Sequence, residues 1–388
     1  GIRDQPRSRG LGDVYKRQPI SSGVGRYAIS LYNSLRNYIE IDHYFIDRDK
    51  LALYRMSHKK SELICKARKN LLTDNTVFMK YKLSNLFLDY RLGRFIPNTY
   101  DLYHIANQNM SNLNYYSNIK TNIITVHDIA RLIYSSNPLQ RVLSKLLYRG
   151  LSKSNFLISI SEATKNDLIK YFNIPEEKIK VIYHGVDNSF KPLDPKDIED
   201  IYVKYDLSKD FRYILHVGGD ALRKNLPVLV GAFYKLINDF KIKDVMLLKI
   251  NKIATTNKSL IKNLGIEAYV KVIEYVPEED LPKFYNLADV FVFPSIYEGF
   301  GFPPLEAMAC GTPVITSNTS SLPEVVGDAG IMLDPHDVNG FAEAIYNVLT
   351  DESLWQEMRK KGLQRAKKFS WERCAKETLK VYKECIER

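Results

Sequence analysis

The sequence predicts an α/β protein with two domains, each built on a parallel sheet. Its 388 residues, 45% of them hydrophobic, suffice for two domains that each bury a core. Residues 288–322 run through a short apolar segment, a Gly/Pro loop, a helical pattern and a second apolar segment, which is the repeating unit of a parallel sheet. A strand pattern at Tyr213–Val217 restarts this alternation after a charged stretch. Two α/β domains in series therefore fit the chain.

The first 18 residues do not fit this scheme. They are polar, carry five Lys and Arg and show no periodicity, whereas a doubly wound domain should open with a buried strand. We interpret residues 1–18 as a non-native leader, similar to translated vector sequence joined to a truncated reading frame. The first strand of the N-terminal sheet is then expected to be missing.

The other boundaries follow from composition. Ser189–Asp206 is charged, contains proline and lacks strand-forming runs, which suits a hinge. We predict an N-terminal domain at residues 19–190 and a C-terminal domain at residues 191–370. Residues 371–388 have the pattern of an amphipathic helix, with Ser370 as its N-cap.

The elements of residues 288–322 can be assigned in order. Val290–Phe293 is β-branched and aromatic, and we predict a buried strand there. Gly299 and Gly301 allow backbone conformations and close ligand approach that a Cβ would hinder. Prolines 303 and 304 suit the first turn of a helix that continues over residues 305–310 and stops at Gly311. Residues 313–316 form the next parallel strand, so the loop falls at the sheet edge where open α/β sheets bind ligands.

Two carboxylates flank this loop. Glu298 lies in the loop and Glu306 lies near the helix N-terminus. Either one alone fits a solvated side chain or a favourable partner of the helix dipole. An apolar loop has little reason to expose Phe300 and Phe302 beside two acids unless something packs there, so the pair indicates a site for a polyhydroxylated ligand.

A second candidate site opens the C-terminal domain. The strand around Tyr213–Val217 enters a loop containing Gly219, and Arg223 and Lys224 follow just before a helix that starts near Pro227. A helix N-terminus with nearby cations is a ready anion site. An Arg–Lys pair is also common on ordinary surfaces, so this motif alone does not decide the function.

The N-terminal half offers two further motifs. Gly23 and Gly25 precede a helical pattern with the spacing of a dinucleotide fingerprint, which makes an NAD-dependent oxidoreductase an alternative. No apolar strand precedes them, and this weakens that alternative. Residues 122–126 form a predicted strand, and His127 stands at its carboxyl end beside Asp128, which could serve only as an N-cap.

Taken together, these motifs resemble a known family. Glu298-Gly-Phe-Gly-Phe-Pro-Pro-Leu-Glu306 is similar to the Glu-x7-Glu motif of retaining glycosyltransferases with the GT-B fold, most closely family 4, the mannosyltransferase-like group. The flanking segments ADVFVFPS and MACGTPVI match as well, and the resemblance runs from about Pro19 to the C-terminus. It implies two Rossmann-like domains with parallel sheets facing a cleft, and a C-terminal helix that crosses back to the N-terminal domain.

The resemblance also implies roles in donor binding. Glu306 would bind the ribose hydroxyls of a nucleotide-sugar, Glu298 the hydroxyls of the donor sugar, and Arg223 and Lys224 the leaving diphosphate. The chain departs from the family at Gly219, where many members carry another Arg, so the charge stabilisation would rest on the remaining two cations.

Other positions are assigned by the same likeness. His127 would help to orient the donor sugar. The donor-binding set is completed by glycines and aromatics of the three loops, namely Gly23, Gly25, Gly219, Gly299, Phe300, Gly301 and Phe302. In the family, the loop around Gly23 and Gly25 is flexible and approaches the donor phosphates.

The implied reaction is glycosyl transfer without a metal or other cofactor, because no Asp-x-Asp motif lies beside a Gly/Ser loop. A hexose, with mannose favoured, would move from a nucleotide-diphosphate sugar, with GDP-mannose favoured, to a glycan or lipid-linked acceptor in surface polysaccharide or lipopolysaccharide synthesis. Retention would follow from acceptor attack on the leaving-group face. A glycosyltransferase-like protein that binds a nucleotide-sugar without turnover is the other reading.

Charge is divided unevenly. Residues 1–190 hold 29 Lys and Arg against 16 Asp and Glu, whereas the remainder holds 27 against 29. This excess can be an ordinary solvated surface, or it can attract the anionic inner face of a membrane, for instance through the basic and partly helical stretch at residues 58–69. Nucleic acid is not favoured as a partner because no recognition motif accompanies the charge.

Composition restricts the cellular setting. The sequence has no apolar run of about 18 residues and no secretory signal pattern. Its four cysteines are scattered and lack CxxC pairing, as is typical of reduced thiols. We expect a cytoplasmic protein. Any association with a membrane is expected to be peripheral, at its inner face.

Overall fold

The computed structural model describes residues 23–39, 41, 43–47, 52–57, 60–66, 100–116, 121–135 and 137–387. These residues form two compact units. The first contains the described residues up to Ile160, together with Thr164–Ile182 and the chain from Trp371 onwards; the second contains Ser161–Ala163 and Tyr183–Ser370. The leader predicted at residues 1–18 lies outside the described residues.

The first unit begins with helix α1 (Gly23–Leu35), followed by a three-stranded antiparallel sheet. Its strands are β1 (His43–Asp47), β2 (Ala52–Ser57) and β3 (Lys60–Lys66). The partly helical stretch predicted for residues 58–69 is therefore wrong over β3, which is extended and pairs antiparallel with β2. The rest of that stretch lies outside the described residues.

A four-stranded parallel sheet forms the centre of the first unit, in the order β4-β5-β6-β7. Its strands are β4 (Tyr103–Ile105), β5 (Asn122–Val126), β6 (Phe156–Ser159) and β7 (Ile179–Val181). All residues of β5 and β6 are buried, as expected for parallel strands covered on both faces. Strand β5 has the limits predicted from the sequence. The helices between these strands are α2 (Leu113–Tyr116), α3 (Ala130–Ile133), α4 (Pro138–Tyr148) and α5 (Glu162–Phe172).

The second unit contains a six-stranded parallel sheet in the order β10-β9-β8-β11-β12-β13. Its strands are β8 (Arg212–Val217), β9 (Val245–Ile250), β10 (Val270–Ile273), β11 (Val290–Phe293), β12 (Val314–Ser317) and β13 (Ile331–Leu333). The strand order reverses between β8 and β11, which are hydrogen-bonded neighbours. Ligands of doubly wound sheets bind at such a switch point, outside the carboxyl ends of the strands.

The helices of the second unit cover this sheet. They are α6 (Glu199–Lys204), α7 (Leu226–Asn238), α8 (Thr255–Asn263), α9 (Leu281–Leu287), α10 (Phe302–Cys310), α11 (Leu322–Val326), α12 (Val338–Thr350) and α13 (Glu352–Ala366). Helix α7 packs its apolar face on the sheet, so that Leu229 and Phe233 are completely buried beside Val290 and Phe341. Burial of each such side chain contributes about 1.5–3 kcal/mol to stability.

The segment from β11 to β12 confirms the prediction for residues 288–322. Strand β11, helix α10 and strand β12 follow one another, and β11 and β12 pair in parallel. Gly301 precedes the helix with a φ of +114° and Gly311 ends it with a φ of +83°. Both angles lie in the left-handed region, where a side chain would be strained, so these two glycines set the limits of α10.

The last helix, α14 (Trp371–Glu387), belongs to the first unit. Its buried face, including Cys374 and Tyr382, packs with Tyr27 and Leu31 of α1. The chain thus leaves the first unit near Ile182 and returns to it at Trp371.

Candidate functional site

Two loops meet at the carboxyl ends of β8 and β11 in the second unit. Backbone hydrogen bonds join them: the N–H of Ile296 donates to the carbonyl of Arg223 at 2.7 Å. The guanidinium of Arg223 donates in return to the carbonyl of Tyr297 at 2.8 Å. Asn225 adopts a left-handed conformation, with a φ of +56°, and its amide donates to the carbonyl of Pro294 at 3.1 Å. Residues 223–225 are therefore hydrogen-bonded to the loop that carries Glu298.

Glu298 lies between the two cations. Its Oε1 accepts from Nζ of Lys224 at 2.6 Å, and its Oε2 lies 3.1 Å from the guanidinium of Arg223. The hydroxyl of Ser295 donates to Oε1 at 2.5 Å. Burial alone would raise the pKa of Glu298, but Lys224 and Arg223 outweigh burial and hold this pKa below its ordinary value. The carboxylate is thus ionised and shared by both cations.

Glu306 occupies a different environment on α10. Its side chain is 1% exposed, and Oε2 accepts a hydrogen bond from the hydroxyl of Tyr285 on α9 at 2.8 Å. The structure therefore fixes the orientation of this carboxylate through a neighbouring helix. Its assignment to the ribose hydroxyls stays a prediction.

The aromatic residues of the loop differ from expectation. Phe300 was predicted to be exposed, but it is 3% exposed, because its ring packs edge-on against His184 and Phe369. Phe302 is half-buried, and its ring stacks on that of His184 at 5.1 Å. The hydroxyl of Ser321 donates to the carbonyl of Phe300 at 2.7 Å and fixes the backbone between Gly299 and Gly301. The loop is packed and hydrogen-bonded. The prediction that its aromatic rings are exposed is wrong for Phe300.

The glycine loop after β8 is open on one side. Gly218 has a φ of +152°, and a side chain there would meet Phe293, His216 and Lys224 at 3.7–3.9 Å from its first carbon. A side chain at Gly219 would meet nothing within 4 Å. The site therefore has room at the position where the resembled family often carries an Arg.

Two buried bases beneath this loop were missed by the sequence analysis. Lys249 of β9 is 1% exposed, and its ammonium donates to the carbonyl of Gly218 at 2.5 Å. His216 of β8 is completely buried, and its Nδ1–H donates to the carbonyl of Val292 at 3.0 Å. Burial, followed by the charge of Lys249, lowers the pKa of His216 to about 3, so this imidazole is neutral. A Lys inside the apolar run VMLLKI was the available sequence signal for the first of them.

In the first unit, His127 stands at the carboxyl end of β5, as predicted. It is 5% exposed, its Nε2–H donates to the carbonyl of Ala106 at 2.9 Å, and its ring meets Tyr27 edge-on at 4.9 Å. Burial lowers the pKa of His127 to about 4, and the bond to Ala106 opposes this shift only in part. The imidazole is therefore neutral near pH 7. Asp128 accepts from the N–H of Ala130 at 3.0 Å, but the N-cap position of α3 is Ile129, so the N-cap role considered for Asp128 is wrong.

A buried polar chain lies beside His127 and was also missed. The hydroxyl of Tyr27 hydrogen-bonds that of Thr125 at 2.8 Å, and Thr125 hydrogen-bonds Nε2 of His104 at 2.7 Å. Nδ1 of His104 lies 2.6 Å from the hydroxyl of Tyr382 on α14. The chain links α1, β5, β4 and the C-terminal helix, so it fixes the ring that packs on His127.

Gly23 and Gly25 are the first and third residues of α1. They were predicted to lie in a flexible loop, but both belong to the first helical turn, because the helical hydrogen-bond pattern begins at Gly23. The preceding residues, including Ser21, lie outside the described residues. The first unit therefore contributes His127 and the start of α1 to the candidate site residues. The second unit contributes Gly219, Arg223, Lys224, Glu298 and Glu306.

Two family models match this chain. The model of Glycosyltransferase Family 4 matches residues 21–190, and that of Glycosyl transferases group 1 matches residues 197–368. Together they cover most of both units, apart from helix α14.

Named proteins are similar to the chain as well. O-antigen chain mannosyltransferase B of Escherichia coli is 35% identical over 267 residues, which are 67% of this chain and 70% of that protein. Serotype-specific mannosyltransferase WbdA of Escherichia coli is 29% identical over 266 residues, or 64% of this chain, but the match spans only 32% of WbdA. Among solved structures, Anabaena Alr3699/HepE in complex with UDP-glucose has a TM-score of 0.67 at 20% identity, covering 78% of this chain and 84% of that one. At this identity the structural likeness shows the fold alone.

Proposed function

Because this chain belongs to the glycosyltransferases of family 4 and group 1, we propose that it transfers a hexose, with mannose favoured, from a nucleotide-diphosphate sugar to a glycan or glycolipid acceptor. The chain is a glycosyltransferase, and the GT-B fold predicted from its motifs is confirmed. Membership of this family leaves the NAD-dependent oxidoreductase without support. The observation that carries the proposal is the contact of Arg223 and Lys224 with Glu298 at the switch point of the second sheet.

The donor is proposed to be GDP-mannose. Support comes from the mannosyltransferase names of the relatives in E. coli, which also motivate a role in surface polysaccharide synthesis. A solved relative in fold holds UDP-glucose, so uridine nucleotides are the natural comparison in a binding test. Base and sugar selectivity depend on a few pocket side chains, which the fold does not fix.

The diphosphate is proposed to bind Arg223 and Lys224. In the structure both cations contact Glu298, so an incoming diphosphate would compete with this carboxylate for them. Such cations stabilise the negative charge that develops on a departing diphosphate. Helix α10 adds a favourable N-terminus at the same sheet edge.

When Arg223 and Lys224 bind the diphosphate, the carboxylate of Glu298 is released. We propose that it then accepts hydrogen bonds from the hydroxyls of the donor sugar. Glu306 is proposed to do the same for the ribose, with Tyr285 holding its second oxygen. His127 is proposed to orient the donor sugar as a neutral hydrogen-bonding group, since its pKa of about 4 keeps it uncharged near pH 7.

The proposed chemistry is retaining and needs no metal. The bond between the anomeric carbon and the diphosphate oxygen breaks, and the acceptor oxygen bonds to that carbon on the same face. The departing diphosphate oxygen takes the acceptor proton, so no protein base is required. Metal independence is supported by the two cations at the site, which can supply the positive charge that a departing diphosphate needs.

We further propose that the protein acts in the cytoplasm, where the basic N-terminal half meets the anionic inner face of the membrane. The support is the excess of Lys and Arg in residues 1–190. No helix in the described part of the chain has the length and apolar character that crossing a bilayer requires.

A binding panel tests the proposed function. The melting temperature of the protein is recorded with GDP-mannose, UDP-glucose, UDP-GlcNAc and NADH at equal concentrations. We expect GDP-mannose to raise the melting temperature most and NADH to leave it unchanged, because only ligands that bind the folded state stabilise it. A shift with NADH alone would contradict the proposal.

A further inference from the structure

Lys249 is a buried cation in the middle of a parallel sheet. It lies on β9, paired in register with His216 of β8 on one side and Val272 of β10 on the other. Its ammonium donates to three backbone carbonyls, those of Gly218 at 2.5 Å, Ile250 at 2.9 Å and Asn251 at 3.3 Å. Burying a charge is costly unless it is well satisfied, so a lysine at this position calls for a physical reason.

The contact with Gly218 sets the direction of the next peptide group. In a trans peptide, the C=O and the following N–H point in opposite directions. Because Lys249 holds the carbonyl of Gly218, the N–H of Gly219 is directed away from Lys249. No described residue accepts a hydrogen bond from this N–H, Gly219 is exposed, and a Cβ built on it would meet nothing within 4 Å. The loop thus holds an unused donor that points away from Lys249 at an exposed position.

The charges around the loop add to this effect. Cε of Lys224 would lie 3.9 Å from a Cβ built on Gly218, and the ammonium of Lys249 donates to the carbonyl of the same residue. The nearest carboxylate on the loop, Asp220, is already engaged: it accepts from the N–H of Ala254 and from the amide of Asn257 at 2.7 Å. Among the described residues no acidic side chain forms an ion pair with Lys249, which is satisfied by carbonyls only. Its positive charge therefore remains available to an anion above the loop.

We propose that Lys249 is a positioning residue for the diphosphate of the donor: it holds the Gly218 carbonyl so that the Gly219 N–H meets a phosphate oxygen, and its buried charge adds to those of Arg223 and Lys224. This inference rests on the proposed function, because it assigns a binding partner to the same site. It also explains how the site works without an Arg at position 219.

The proposal has a pH signature. Burial lowers the pKa of Lys249 to about 8; Asp220 acts in the opposite direction and Lys224 in the same one. His216, its neighbour on β8, stays neutral at this pH, since its own pKa is about 3. An anion bound above the loop favours the ammonium form and raises the pKa of Lys249, so the protein takes up protons on binding near pH 8. A lysine that only closed the loop would not couple to the ligand in this way.

Isothermal titration of UDP and GDP tests this at pH 8.0, in two buffers of different ionisation enthalpy. Three proteins are compared. Besides the unmodified chain, Lys249→Met keeps a side chain of similar length but removes its charge. The control variant, Lys252→Met, removes an exposed charge three residues away. We expect Lys249→Met to weaken nucleotide binding by about tenfold, as for a lost charge-assisted hydrogen bond, and Lys252→Met to change it by less than about twofold. Proton uptake is expected in the unmodified protein and in Lys252→Met, and not in Lys249→Met.

The outcomes are separable. Nucleotide binding by Lys249→Met with unchanged affinity and unchanged proton uptake overturns the role of Lys249 and leaves the proposed function intact. Failure of the unmodified protein to bind either nucleotide overturns both. If Lys249→Met does not fold, the proton uptake of the unmodified protein decides, because its absence near pH 8 contradicts the coupling.

Discussion

Lys224 and Glu298 form a 2.6 Å ion pair at the switch point of the second sheet, where Lys224 also lies over the ring of Phe293 at 4.7 Å. The pair joins the cation proposed for the diphosphate to the carboxylate proposed for the donor sugar. Arg223 contacts the same carboxylate. Donor binding is therefore expected to replace the carboxylate of Glu298 with a diphosphate at these two cations.

Removing the charge of Glu298 should strengthen the binding of a nucleoside diphosphate and slow the transfer of the sugar. In Glu298→Gln, a diphosphate no longer competes with a carboxylate, so we expect UDP or GDP to bind about fivefold more tightly, equivalent to ~1 kcal/mol of released ion pairing. Sugar transfer should fall by about a hundredfold or more, because the carboxylate is also proposed to bind the donor sugar. Titration calorimetry and a transfer assay measure the two effects. Glu343→Gln, on the exposed face of α12, is the matched control, and weaker nucleotide binding by Glu298→Gln would contradict the competition.

Removing the carboxylate of Glu306 should weaken the binding of the nucleotide-sugar, because this carboxylate is proposed to accept hydrogen bonds from the ribose. We expect Glu306→Ala to weaken nucleotide-sugar binding by about 1.5–3 kcal/mol, the usual value of hydrogen bonds to a charged group. Tyr285→Phe removes only the hydroxyl that donates to Glu306 and should cost less than Glu306→Ala. Both affinities can be measured by calorimetry. Unchanged affinity in Glu306→Ala removes this residue from the site.

The buried histidines should make the fold less stable in mild acid. The pKa values of His104, His127 and His216 are lowered to about 3, 4 and 3, mainly by burial. A depressed histidine pKa means that the unfolded state binds more protons between the folded value and about 6.5, so stability is lost as pH falls below about 6.5. At pH 5 the loss is about 2 kcal/mol per imidazole.

Urea unfolding at pH 7 and pH 5 checks this expectation. The difference between the two pH values should shrink in His216→Phe, which removes one buried imidazole, and should persist in His336→Gln, which removes an exposed one. Equal stability of the unmodified protein at both pH values would show that these histidines are not held neutral in the fold.

The hydroxyl of Tyr382 should stabilise the first unit through His104. Tyr382→Phe removes a buried hydrogen bond and leaves an imidazole nitrogen unsatisfied, which costs about 1–3 kcal/mol. The free energy of unfolding measures this loss. Tyr275→Phe, at a tyrosine that is 76% exposed, should have no measurable effect, and an equal effect of both variants would rule out the buried chain as its cause.

Much of the second unit could be predicted from sequence because its signals are local. Strand β11, helix α10 and strand β12 are each marked by residues within the segment, such as the prolines at the helix start and Gly311 at its end. The Arg–Lys motif and Glu298 were also found. Their mutual contact was not, since it depends on the pairing of β8 with β11, which lie more than 70 residues apart in the chain.

The misses share one cause, which is long-range packing. Phe300 is buried by residues near positions 184 and 369, and neither contact leaves a trace in the loop sequence. Lys249 and His104 gain their importance from neighbouring strands and from α14. The glycines of α1 fit a loop or a first helical turn equally well by composition, and only the backbone decides between them.

Mannose transfer with retention, at a site that neutralises the leaving diphosphate with cations, can be tested in one assay. The protein is incubated with GDP-α-mannose and an oligomannoside acceptor in the presence of EDTA, and the anomeric configuration of the product is read by NMR. We expect an α-linked mannosyl product, formed at a rate that EDTA does not change. A β-linked product, or transfer that EDTA abolishes, would contradict this expectation.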